Sequence, residues 1–158
     1  MNGRGAAWFV AVRLACVTEQ VALEALQTRA SLNNPGDREA LLANPDAIEL
    51  PLGQIEAEGV FVAEVAGLVA GFAAIVPRED GDFELDGLFV DPALWRHGVG
   101  RKLVDHCVQI LRAKGCKALH VVGNPHAEAF YRSCGFETLG ILQTRFGPGL
   151  LMRRPVLA

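Results

Sequence analysis

Residues Leu94–His106, LWRHGVGRKLVDH, set two glycines, Gly98 and Gly100, among four basic side chains, Arg96, His97, Arg101 and Lys102. An amphipathic run follows at once and stops at Gly115, so Gly98–Lys114 reads as a helix. The start of a helix leaves backbone N–H groups without partners, and the aligned peptide dipoles add partial positive charge there. Glycine lets a ligand reach that backbone with no Cβ in the way. The segment therefore reads as a cradle for an anion such as phosphate, reinforced by the basic side chains. The plainer alternative is a turn whose glycines only reverse the chain, ahead of a solvated basic helix face. Neither GxxxxGK[ST] nor GxGxxG fits, because the third residue after Gly100 is Leu103.

The rest of the chain keeps this positive charge local. Fifteen Lys and Arg stand against 18 Asp and Glu, a net charge of −3, which gives no general attraction to nucleic acid or an anionic membrane. With 158 residues, 51% of them hydrophobic, one globular domain over 1–158 is expected. Cys16, Cys107, Cys116 and Cys134 form no CxxC pair, and His97, His106, His120 and His126 show no ligand or triad spacing. No metal is expected, and the cysteines read as small hydrophobes in a reducing cytoplasm. No apolar run is long enough to span a membrane. The opening MNGRGAAWFVAVRLACV loosely imitates a signal peptide, but Arg13 interrupts its apolar stretch. Trp8–Leu14 reads instead as a first strand.

Outward from the glycine pair, the pattern alternates. Thr18 reads as the N-cap of a helix with Val21, Leu23 and Leu26 on its apolar side. A short helix in NNPGDREALLAN ends at Asn44-Pro45, and AIELPLGQIEAEG reads as loop. Two antiparallel strands turn at Ala66-Gly67, and Phe83–Pro92 is a third strand of this group. After the central helix come a strand in KALHVVG, a short helix in PHAEAFYRSC, and two final strands around Gly147-Pro148-Gly149. The order β-α-α-β-β-β-α-β-α-β-β implies an α/β (α+β) fold with a mixed, mostly antiparallel central sheet flanked by helices.

Two stretches, FELDGLFVDPALWRHGVGRKLVDH and NPHAEAFYRSCGF, resemble the signatures of the GNAT superfamily of acyl-CoA-dependent N-acetyltransferases. The family pattern [Q/R]-x-x-G-x-[G/A] falls on Trp95–Gly100, with Trp95 departing at its first position. The pattern N-x-x-A-x-x-x-Y-x-x-x-G-F is matched by Asn124, Ala127, Tyr131, Gly135 and Phe136. The resemblance covers roughly residues 59–140. It implies acetyl-CoA as co-substrate, with Arg96, His97, Gly98, Val99, Gly100 and Arg101 on its pyrophosphate. It also implies Leu88, Phe89, Val90 and Asn124 along the pantetheine arm, and Tyr131 beside the thioester sulfur. A bulge splays the family's strand, and Gly87 is the expected place for it.

Acetyl transfer to an amine needs a proton acceptor, since an alkylamine of pKa about 10.4 is mostly protonated near neutrality. Glu84 matches the position of a glutamate that some family members use through a water, and Asp86 is its rival. Strand alternation sets Glu84, Asp86 and Leu88 on one face. Tyr131, the only tyrosine, is the expected acid for the leaving thiolate. Backbone N–H groups between Gly87 and Val90 would steady the oxyanion. The expected function is acetyl transfer by direct attack onto a primary amine of a small molecule or peptide. The acceptor would be held by the N-terminal helices and last strands. A catalytically silent acyl-CoA-binding module is the alternative. A homodimer is the ordinary default for oligomeric state.

Overall fold

The computed structural model describes residues 9–34 and 36–157. Hydrophobic alternation builds one seven-stranded sheet in the order β1-β2-β3-β4-β5-β7-β6. Its strands are β1 (Val10–Leu14), β2 (Val60–Val65), β3 (Leu68–Pro77), β4 (Phe83–Val90), β5 (Ala118–Gly123), β6 (Glu137–Thr144) and β7 (Gly147–Pro155). Every neighbouring pair is antiparallel except β4 and β5. The expected mixed, mostly antiparallel sheet is therefore present. Trp8, expected in the first strand, lies outside the described residues.

Each face of the sheet has its own core. On one side α4 (Val99–Ala113) buries Val99, Leu103, Val104, Cys107, Val108 and Leu111, a stripe at helical spacing, over Phe61, Ala73, Ile75 and Leu119. The helix ends at Ala113 with Lys114 as its C-cap, and Cys116 N–H reaches back to Leu111 C=O at 3.0 Å. On the other side Leu23 and Leu26 of α1 (Gln20–Asn33) close over Val60, Val62 and Phe72. Between them, the two helices shield both surfaces of the central strands.

Four local expectations give way to tertiary packing. Val21 is 77% exposed, so the buried stripe of α1 is Leu23, Leu26 and Ala30. Thr18 is not the N-cap; Glu19 reaches back to the Cys16 N–H at 2.9 Å and pairs with Arg13 at 2.8 Å. The segment read as loop contains α3 (Leu52–Glu56), formed because Ile55 is 4% exposed in the α1-side core. The last turn lies at Arg145-Phe146, with Thr144 opposite Gly147, so Gly147-Pro148-Gly149 belongs to β7. Pairing of β7 with β5 stops at Leu150, and Pro148 sits in the two-stranded extension beyond it, where a missing donor is tolerated. The remaining helices are α2 (Asp37–Ala43) and α5 (Glu128–Ser133).

β4 and β5 are clamped at one end by Asp82. Its Oδ1 accepts from the Lys117 and Ala118 N–H groups at 3.1 and 3.2 Å, and its Oδ2 lies 3.0 Å from His120 Nε2. The His120 bond, then these backbone donors, hold the Asp82 carboxyl below the usual carboxylate range. A depressed folded pKa stabilises above the unfolded pKa, and that contribution fades as pH falls through the folded one. Asp82→Asn should therefore lower the denaturation midpoint at neutral pH. The gap from wild type should close on acidification below the ordinary aspartate pKa, as chemical denaturation across pH will read.

Candidate active site

After three parallel pairs, Phe83–Leu119, Glu84–His120 and Leu85–Val121, the ladder between β4 and β5 ends. The cause lies on the other edge of β4. Against β3, Ala74 faces Gly87 and Ile75 faces Leu85, which leaves Asp86 as an unpaired bulge residue. The bulge expected at Gly87 thus falls one residue earlier. It also breaks the alternation: Leu85 and Leu88, three apart, pack on the same α4-side core.

Beyond the bulge, Asp91 N–H donates to Ala70 C=O at 2.8 Å, so this edge of Asp91 is turned toward β3. Alternation then turns the backbone groups of Val90 and Leu88 away from β3, into the gap where β5 has departed. Phe89, which pairs with Phe72, turns its backbone toward β3 and packs its ring 5.4 Å from that of Phe72. Of the three residues expected along a pantetheine arm, Leu88 and Val90 present their main chain to the gap and Phe89 does not. The Val90 carbonyl is taken by the indole N–H of Trp95 at 2.8 Å. The residue that departs from the family pattern therefore ties the end of β4 to the turn ahead of α4.

That turn is held in an uncommon conformation. Arg96 has φ +68° and Gly98, the N-cap of α4, φ +82°. For arginine this left-handed region costs about 1–2 kcal/mol, and it persists where the surroundings hold it, here beside the Trp95 anchor. The first intrahelical bond runs from Lys102 N–H to Gly98 C=O at 3.1 Å, so the N–H groups of Val99, Gly100 and Arg101 precede it. A Cβ on Gly98 would meet nothing within 4 Å, whereas one on Gly100 would press on Phe130 at 3.1 Å. The open space above Gly98 and the close packing under Gly100 fit a loop shaped for an anion.

The gap and the turn form one cleft of about 740 Å³. Arg96, Gly98, Val99, Gly100 and Arg101 of the α4 turn line it. Arg101 is braced by Ser133, donating to its carbonyl at 2.8 Å and its hydroxyl at 3.0 Å. His97 is exposed and is not among the lining residues. Tyr131 and Asn124 line it too. Tyr131 sits over the end of β5, where a Cβ on Gly123 would lie 3.1 Å from its ring. Burial first, then the neighbouring Cys134 and Asp37, pushes its phenol above the usual tyrosine range. Asn124 accepts from His126 N–H at 2.9 Å and donates to Asp37 at 2.7 Å, so it fastens β5 to α2.

The two carboxylates on β4 part company. Glu84 lies outside the cleft lining, 3.7 Å from Arg78, whereas Asp86 lines the cleft and accepts from Gln54 at 3.2 Å. Burial raises the Cys134 thiol and pushes that of Cys107 up to about 12, which leaves both poor nucleophiles. His106 packs edge-on against Phe61, its ring centroid 4.9 Å away. Donor atoms of Asp80, Asp82 and His120 do come within 4.8 Å of one another, a grouping the sequence spacing hides. Each is engaged within the chain, Asp80 by Arg78 and Asp82 by His120. Sequence reasoning also missed Asp37 and Phe146 as cleft residues; the turn-forming NNPGD pattern points only to a chain reversal.

Among the described residues no helix is long and apolar enough to cross a membrane. No protein of curated function matches the chain in sequence. Solved structures share the fold across nearly the whole length. The ribosomal-protein-S18-alanine N-acetyltransferase from Escherichia coli is 22% identical, with 95% of this chain and 96% of that one covered and a TM-score of 0.69. yncA from Salmonella typhimurium, solved with its cofactor acetyl-CoA, is 24% identical, covers 95% of each chain and has a TM-score of 0.71. The paia N-acetyltransferase from Thermoplasma acidophilum, in complex with coenzyme A, is 15% identical, covers 93% and 99%, and has a TM-score of 0.73. The family model for the Acetyltransferase (GNAT) family matches residues 25–136, which take in the bulge, the glycine turn and Tyr131. With most of its length so matched, this chain belongs to the GNAT acetyltransferase family and is an acyl-CoA-dependent N-acetyltransferase.

Proposed function

We propose that the protein transfers acetyl from acetyl-CoA to a primary amine by direct attack, with the diphosphate on the α4 turn and the pantetheine arm along β4. The observation that carries this is the bulged, splayed edge of β4 opening into the same cleft as the cradle of Gly98–Arg101. Bound there, acetyl-CoA supplies a thioester carbonyl and a thiolate leaving group. The main-chain N–H groups of Val99, Gly100 and Arg101, with the Arg96 and Arg101 guanidiniums, hold phosphate oxygens. Leu88 and Val90 extend the strand pattern to the pantetheine amides.

Asp86 takes the proton that the acceptor amine sheds. It is the β4 carboxylate inside the cleft, and its partner Gln54 is neutral, while Glu84 lies outside the cleft lining, 3.7 Å from Arg78. Tyr131 has a raised pKa, so its phenol stays protonated and donates a hydrogen bond to sulfur as negative charge builds there. Because that phenol is a weaker acid than an ordinary thiol, solvent completes the protonation. The four cysteines are all free, which suits a reducing cytoplasmic setting.

Three measurements check these roles. Gly98→Glu puts a carboxylate and a Cβ in the cradle and should weaken acetyl-CoA binding tenfold or more, on the order of the loss of one charge-assisted bond. Unchanged affinity by calorimetry would refute the cradle. Tyr131→Phe should cut kcat about tenfold with little change in the KM for acetyl-CoA; equal changes in both would reduce the residue to a binding role. Asp86→Asn should remove the acid limb of the kcat/KM profile and Glu84→Gln should leave it in place. The reverse pattern returns the base to Glu84.

A further inference from the structure

The charges lining the cleft come from different elements according to sign. Arg96 and Arg101 are its only lysine or arginine residues among the described residues, and both stand at the α4 turn. Among the described residues its only carboxylates are Asp37 of α2 and Asp86 on the β4 bulge. Elsewhere on the protein, carboxylates commonly face arginine: Asp91 pairs with Arg29, Asp46 with Arg145, Glu84 with Arg78 and Asp105 with Arg154. The two in the cleft do not. Asp37 accepts from the side-chain amides of Asn34 at 3.1 Å and Asn124 at 2.7 Å, and Asp86 from that of Gln54. Neutral amides fix the orientation of these carboxylates and leave their negative charge uncompensated. A carboxylate has about four acceptor positions, so Asp37 keeps two for a ligand.

We propose that the part of the cleft lined by α2 binds the acceptor as an alkylammonium ion with no carboxylate next to its amine, and that Asp37 is the residue that holds it. This deepens the acetyl-transfer reading and rests on it. The body of such an amine has an apolar bed in Ala40, Leu41, Ala47, Ile48 and Phe146. A smaller recess of about 310 Å³ adjoins it and shares Asp37, Asn124 and Phe146. The nearby cation at the β6–β7 turn, Arg145, is engaged by Asp46 at 3.1 Å and by Asn44 at 3.4 Å, and stacks on Phe146. It ties that turn to the loop after α2, whose Ala47 and Ile48 line the cleft. A free amino acid would bring a second carboxylate among Asp37 and Asp86, where among the described residues α2, the loop after it and the turn after β5 offer His126 but no lysine or arginine to the cleft, and like charge would disfavour it. Asp37 is thereby a specificity-determining residue. Its charge also reaches the Tyr131 phenol, where the amine must arrive.

The test is binding of matched pairs to the enzyme saturated with coenzyme A, read by calorimetry. The pairs are tyramine against tyrosine and 1,4-diaminobutane against ornithine, with a dipeptide amide as a second source of an amine free of a neighbouring carboxylate. Each amine should bind about tenfold or more tighter than its parent amino acid, and Asp37→Asn should erase most of that preference. The dipeptide amide, compared with the small amines, tells which source fits the cleft. Unaltered coenzyme A binding by Asp37→Asn shows that the variant is folded; if it is not, the wild-type preference alone decides. Amino acids binding as well as their amines, no amine binding at all, or a preference that survives Asp37→Asn each overturn the proposal. Thiol release from acetyl-CoA is followed separately. Amine preference without release would reject acetyl transfer and leave the cation site standing.

Discussion

Everything at the site depends on β4 being unable to pair with both neighbours over its full length. One extra residue, Asp86, sits in β4 against β3, and the last pair with β5, Leu85–Val121, immediately precedes it. The Asp82 clamp holds the two strands together at their start, so the separation develops only toward their C-terminal ends. A sheet edge that would ordinarily be costly to leave open becomes a line of main-chain donors and acceptors facing a cleft. The helix that follows β4 begins at the mouth of the same opening, with its own unbonded N–H groups. Two kinds of unsatisfied backbone, strand edge and helix start, are thus made continuous by a turn of a few residues.

Trp95 shows how a departure from a family pattern can preserve geometry. Its indole N–H holds the Val90 carbonyl, and the next residue adopts a conformation that arginine seldom takes. The side chain differs from the usual one, yet the turn is still fixed between strand and helix. Electrostatics then divides the cleft that this geometry creates. The arginines stand on the α4 turn, carboxylates held by amides stand on α2 and the β4 bulge, and the Tyr131 phenol lines the same cleft. A net charge of −3 on the whole protein coexists with this separation because each group acts over only a few ångströms.

Much of this was legible in the linear pattern where local chemistry decides the outcome. Gly98 and Gly100 mark a helix start, the stripe from Val99 to Leu111 marks a buried face, and the Ala66-Gly67 turn falls where two apolar runs meet. Readings failed where distant packing outweighed local preference. α3 exists because Ile55 finds a core, Val21 is exposed because the helix rotates Leu23 and Leu26 inward, and the final turn moves to Arg145-Phe146. In the site, the bulge position was legible to within one residue. The consequence for Glu84 and Asp86 was not, because a single inserted residue sets them in different surroundings. Asp37 was invisible for a simpler reason: its partner Asn124 lies 87 residues away in the chain.

Residue-resolved amide hydrogen exchange, with and without acetyl-CoA, would address the central claim most directly. Slowed exchange concentrated at Leu88, Val90, Val99, Gly100 and Arg101, with Phe89 already protected by its pairing to Phe72, is the predicted outcome. If those amides exchange at the same rate in both states while acetyl-CoA is demonstrably bound, the ligand lies elsewhere and the account of an opened strand edge joined to a helix start is wrong.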